Sequence, residues 1–174
     1  MPRPSSTALP IAFAVLRILI ALNWAYAAVL VAILIGALAN QTWTFTALGV
    51  PVADQTQSLL MGMRGIAMLG LVTVPLNLAM LRRLLAITDT ARAGDPFVAA
   101  NAYRLNAIAW VLLALQLISL MVWAIGKGVS TPAHPLHLDA GFSPSGWLAV
   151  ILVFVLARVF AEGTLMREDL HGTV

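Results

Sequence analysis

The sequence predicts an all-α fold, an integral membrane four-helix bundle, N-in and C-in, built from two αα-hairpins. Three observations predict it. The chain is 61% hydrophobic and only 10% charged, whereas a soluble globular domain carries charge on roughly a quarter of its residues. Four stretches, near 16–39, 60–82, 105–126 and 146–163, are long and apolar enough to cross a bilayer, because about 20 residues rising ~1.5 Å each span a hydrocarbon core of ~30 Å. The basic residues alternate: Arg3, Arg17, Arg82, Arg83, Arg92, Arg104, Arg158 and Arg167 fall on one set of segments, and Arg64 and Lys127 on the other. Eight against two orients both termini towards the cytoplasm. Trp43, Trp123 and Trp147 then sit at the outer boundary, where an amphipathic indole is stable.

In the first span Arg17 is followed by an apolar run that ends in Ala37-Leu38-Ala39, which imitates a secretory signal with its cleavage site. Its apolar run is too long for the 7–15 residues of a signal core, so a retained span is expected. Ala21, Ala25, Ala28, Ala32 and Gly36 recur at spacings of three and four, giving a small-residue face on which another helix can pack closely, within the chain or in a homo-oligomer. The second span carries Pro75, whose missing N–H and ring clash predict a kink. Arg64 lies a turn inside its outer end, where a charge must snorkel or find a partner, and Asp54 is the nearest acid in sequence.

Between spans two and three, Leu81, Leu84, Leu85 and Thr88 continue the helix into the interface. Gly94 suits a left-handed C-terminal position, Asp95 an N-cap and Pro96 a first helical position. A tight αα-hairpin with its tip around 86–103 follows. The outer loops, 40–57 and 127–145, are too small for folded domains, so residues 1–174 form a single transmembrane domain with a tail at 164–174. In the fourth helix Arg158 and Glu162 are four apart, on one face.

Asn23, Arg64, Asn77 and Gln116 are the polar side chains of note at membrane depth, with Thr73 and Ser119 beside them. Unpaired in lipid each would be costly, so hydrogen bonds across the bundle are expected. His134, His137 and Asp139 in the second outer loop are candidate zinc or copper ligands. Pro135 removes the helical register that would align the two imidazoles, and no fourth ligand is evident, so a solvated loop is expected instead of a metal site.

The exclusions narrow the function further. There is no cysteine, hence no disulfide, thiolate metal site or cysteine nucleophile. No carboxylate or histidine lies centrally in a span, so a proton relay and axial haem ligation both lack their residues. Phosphate-binding glycine motifs, metalloprotease motifs and nucleophile elbows are missing. A non-enzymatic protein without cofactors is expected. The isoelectric point near 10.2 reflects charges at membrane boundaries, so direct nucleic-acid binding is not expected.

Gly94-Asp95-Pro96-Phe97, Asn101, Arg104-Leu105, Ile108-Ala109-Trp110, Val153 to Ala157, Val159 to Gly163 and Leu165 to Asp169 together form a pattern. It resembles a bacterial membrane family catalogued as domain of unknown function 2975, over the turn, spans three and four and the tail. Members of that family are often encoded beside a small helix-turn-helix regulator. The resemblance therefore implies a protein of the bacterial inner membrane that controls or sequesters a transcription regulator through its cytoplasmic hairpin and tail. Arg158 stands where similar proteins carry an acid, and the chain ends His171-Gly172-Thr173-Val174 where they are more polar. Arg92, Asp95, Arg104, Glu162, Arg167, Glu168 and Asp169 are the expected partner contacts. Two alternatives remain open: a small oligomeric transporter or channel subunit with Asn23, Asn77 and Gln116 lining its path, and an outer-loop metal or ligand sensor using His134, His137 and Asp139.

Overall fold

The structure, a computed structural model, describes residues 8–39, 57–130 and 140–172. Among the described residues there are four helices and no strand: α1 (Ala8–Ala39), α2 (Gln57–Arg92), α3 (Ala99–Val129) and α4 (Pro144–Gly172). Each contains the span expected from hydropathy and runs beyond it. All four are long and apolar enough to cross a membrane, each holding an apolar stretch of sufficient length within its described residues. Large apolar side chains stay exposed along every helix, among them Ile18, Val29, Met68, Trp110, Leu148 and Val155. Helices apolar on all sides suit lipid as the surrounding solvent.

The chain divides into two compact units. The first takes residues 1–22, 77–114 and 144–174. It holds the start of α1, the end of α2, the start of α3 and all of α4. Its core is Leu81 with Ala102, Leu105, Ile108 and Ala109 of α3 and Val150, Ala157 and Thr164 of α4. The three α4 positions are seven apart, two turns, so one stripe of that helix faces inwards. Trp110 meets Phe154 edge to face, centroids 5.4 Å apart, and Phe97 stacks on Phe160 at 5.1 Å.

The second unit takes residues 23–76 and 115–143. Here helix contact rests on small residues. A Cβ built on Gly62 would stand 2.6 Å from Val129 Cγ1, and one on Gly70 would stand 3.3 Å from both Leu30 Cδ1 and the Tyr26 hydroxyl. Close approach of α2 to its neighbours therefore depends on those two glycines. Ala21, Ala25, Ala28 and Ala32 remain exposed, so the small-residue face of α1 is not covered by the rest of the described chain. α2 continues as helix through Pro75. Beside it the buried Asn23 donates its amide N–H to the Val74 carbonyl at 3.2 Å.

The connection from α2 to α3 corrects one expectation. Gly94 is left-handed, φ +86°, as its position after the helix required. The Gly94 N–H bonds Ala91 O and the Asp95 N–H bonds Thr90 O, each at 3.1 Å, the paired closure of a Schellman motif. Asp95 is thus committed to ending α2. It is not the N-cap of α3, which begins at Ala99. Pro96 lies in the extended connection and is not a first helical position. The residue before a proline is biased away from helical geometry, so a Gly-Asp-Pro sequence closes one helix before the next can start.

Candidate functional site

Asn101 organises the charged end of the first unit, and it is wholly buried. Its amide nitrogen donates to Thr90 Oγ1 at 2.7 Å and to the Pro96 carbonyl at 2.8 Å. Its carbonyl oxygen accepts from Arg104 Nη1 at 2.7 Å, and its backbone N–H bonds Val98 O at 2.8 Å. One side chain thereby ties the last turn of α2, the connection and the first turns of α3 together. Thr90 passes the network on, donating to Ile87 O at 2.8 Å.

Arg92 at the end of α2 lies over the Phe13 ring of α1, 4.8 Å from its centroid, and Arg17 lies 4.5 Å from the same ring. Two guanidiniums sharing one ring fasten the start of α1 to the end of α2 by cation–π attraction. Arg92 also approaches Asp89 at 3.9 Å, with both side chains about half exposed. Phe97 reaches α4, where a Cβ on Gly163 would meet its ring at an ordinary 3.7 Å. On α4 the Arg158 Nε donates to Glu162 Oε1 at 2.8 Å, the one-turn pair that the spacing required. Both are largely exposed, so the pair contributes only a few tenths of a kcal/mol.

Between α3 and α4 runs a groove of about 580 Å³. Ala99, Ala102, Tyr103 and Asn106 line it from α3, and Phe154, Ala157, Arg158, Ala161, Thr164 and Leu165 from α4. Small side chains on both helices leave the space open. The second unit has a groove of about 530 Å³, lined mostly by aliphatic side chains with the hydroxyl-bearing Tyr26, Thr73 and Ser119 among them.

Of the expected partner contacts, Arg92, Asp95, Arg104 and Glu162 all belong to the first unit. Arg92 and Arg104 already have intramolecular partners there. Arg167, Glu168 and Asp169 occupy the last turns of α4, and their side chains lie outside those described. His134, His137 and Asp139 lie outside the described residues, as do Trp43 and Asp54. Among the described residues no group of three His, Cys, Asp or Glu gathers.

The membrane-depth polar side chains divide. Asn23 does bond across to another helix, whereas Thr73 bonds Gly70 O of its own helix at 2.6 Å. Ser119 both accepts from the Gly141 N–H at 3.0 Å and donates to its carbonyl at 3.3 Å. Asn23, Asn77 and Gln116 line neither groove. Arg64 has its Nε shielded from solvent with no hydrogen-bond partner among the described residues. Spacing had no way to single out Asn101 or the α3–α4 groove. Asn101 belongs to the pattern that carries the family resemblance, and as a carboxamide in the first turn after a Gly-Asp-Pro break it stands where side chains reach back to free backbone groups. No family model, curated protein or solved structure matches the chain.

Proposed function

We propose that this chain is a non-enzymatic, multi-pass protein of the bacterial inner membrane. Its four helices form an N-in, C-in bundle whose charged end holds a soluble cytoplasmic partner. The observation that carries the reading is the distribution of charge. Arg17, Arg82, Arg83, Asp89, Arg92, Asp95, Arg104, Arg158 and Glu162 belong to the first unit, and Arg64 and Lys127 to the second. An end rich in arginine is retained on the cytoplasmic side. The buried network of Asn101 gives that end a defined shape, and α4 runs on to Gly172, past the expected inner end of the fourth span at 163. The class of partner follows from the resemblance of the turn and tail: a helix-turn-helix regulator, held at the membrane or released.

Affinity capture from native membranes, comparing the intact chain with one lacking residues 167–174, tests this reading. The expected result is a helix-turn-helix protein recovered with the intact chain and lost with the truncated one, together with a change in expression from that regulator's promoter. Equal recovery from both, or an unaffected promoter, overturns it.

A further inference from the structure

The α3–α4 groove combines features that a packing gap does not need. It lies towards one end of both helices, since α3 begins at Ala99 and the α4 lining runs to Leu165, close to the expected inner end of the fourth span at 163. From Pro144 the helix rises ~15 Å to Phe154, ~21 Å to Arg158 and ~30 Å to Thr164 at ~1.5 Å per residue, so in a ~30 Å hydrocarbon layer entered at Pro144 the groove runs from mid-depth to the far interface. Arg158 lines it, and the bond from its Nε to Glu162, one turn nearer the C-terminus, directs the guanidinium towards the headgroups. Tyr103, 77% exposed, stands on the opposite rim. Deeper along α3, Asn106 is exposed and makes no hydrogen bond to another described residue. Asn106 lies at the edge of the expected third span, where an exposed carboxamide finds its complement in an acceptor at the lipid interface.

We infer that this groove binds one phospholipid with an ammonium-bearing, zwitterionic headgroup, of the phosphatidylethanolamine class. The alanine floor formed by Ala102, Ala157 and Ala161 takes an acyl chain, which runs towards Phe154. Asn106 donates to a glycerol ester carbonyl, the acceptor found just below the headgroup. Arg158 binds the phosphate, exchanging a weak, exposed pair for a charge-assisted contact. Glu162, freed at the same edge, accepts from the primary ammonium. Arg158 on the groove and Glu162 beside it, one turn on, thus offer one cation and one anion in the order in which such a headgroup presents their opposites. A cavity of this size lies within the ~300–1,000 Å³ of sites that bury a small amphiphile. The inference requires only that the four helices lie in a bilayer, and it stands apart from any soluble partner.

Native mass spectrometry of the full chain in mild detergent provides the test, with phosphatidylethanolamine, phosphatidylcholine and phosphatidylglycerol of identical acyl composition at equal mole fraction. The expected result is retention of phosphatidylethanolamine about tenfold above phosphatidylglycerol, the ratio that one charge-assisted contact supplies. Choline cannot donate a hydrogen bond to Glu162, so phosphatidylcholine should fall between. Glu162→Gln, a surface change, should bring phosphatidylethanolamine down to the phosphatidylcholine level. Ala161→Leu, which fills the groove, should reduce retention of all three. Equal retention of the three lipids by the native chain, a preference that survives Glu162→Gln, or full retention by Ala161→Leu would each overturn the assignment.

Discussion

Asn101 and Arg104 touch the same network from opposite sides of the burial boundary, and this difference sets their energetic weight. Asn101 has no exposed surface, and both of its amide hydrogens and its carbonyl oxygen are used. Removing it leaves the half-buried Pro96 carbonyl and Thr90 hydroxyl short of a donor, at about 1–3 kcal/mol for each group left unsatisfied. Arg104 is only half-buried and can return to water when its bond is lost. Asn101→Ala should therefore lower unfolding stability in detergent by about 2–3 kcal/mol, and Arg104→Ala by under ~1 kcal/mol, as read from denaturant or thermal melts. Equal effects from the two would show that the network owes its strength to the guanidinium and not to the buried amide. Asn23 is a smaller case of the same kind. Its single bond to the Val74 carbonyl falls in the range of about 0.6 to 2 kcal/mol found for polar contacts between membrane helices.

At the scale of elements, two glycines with similar sequence surroundings have opposite roles. Gly62 of α2 has no room for a Cβ, since Val129 Cγ1 of α3 would stand 2.6 Å away. Valine is stiff at χ1 in a helix, so the conflict is relieved only by moving a helix. Gly128, almost at the end of α3, faces open space. Gly62→Ala should destabilise by about 1–3 kcal/mol, while Gly128→Ala should be neutral or stabilising by at most ~1 kcal/mol, since alanine is the better helix former. Thermal melts of the two variants side by side would check both signs. Sequence patterning reveals neither outcome, because residue type around each glycine does not say which neighbouring helix approaches it. The same property hides the α3–α4 groove. Where every face of a helix is apolar, periodicity carries no information about which alanines meet and which leave a gap. Helix existence was legible for the complementary reason, since hydrocarbon admits only long apolar helices here and each one announces itself by composition. The start of α3 was misread because Asp95 and Pro96 suit the beginning of a helix as well as they suit the end of the preceding one. Backbone hydrogen bonds from Gly94 and Asp95 to α2 decide between those uses, and residue type alone does not.

For the whole molecule, topology in the bilayer is the quantity on which the functional proposal depends. The proposal takes its direction from charge statistics. Among residues with described side chains, Arg17, Arg82, Arg83, Arg92, Arg104 and Arg158 fall in the first unit, against Arg64 and Lys127 in the second. Lys127 lies 4.6 Å from the Trp123 ring centroid, an aromatic–cation pair of the kind that anchors helix ends at a membrane interface. Because the chain contains no cysteine, single cysteines can be introduced without any background of native thiols. Ala93 in the α2–α3 connection and Gly128 near the end of α3 are both exposed, and a Cβ at 128 meets nothing within 4 Å. With a membrane-impermeant maleimide applied to intact spheroplasts, Gly128→Cys should label at once. Ala93→Cys should label only after the membrane is opened. The opposite pattern would put the arginine-rich end outside and remove the basis for a cytoplasmic partner, while leaving the lipid groove intact, since its chemistry refers to headgroups and not to a leaflet. Labelling of both positions in intact spheroplasts would indicate a mixed population, in which case six arginines against two basic residues would be too weak a bias to orient this chain. Replacing Arg82, Arg83 and Arg92 by glutamine separates these cases: an orientation set by the positive-inside rule should then become mixed, whereas one fixed by helix packing should not change.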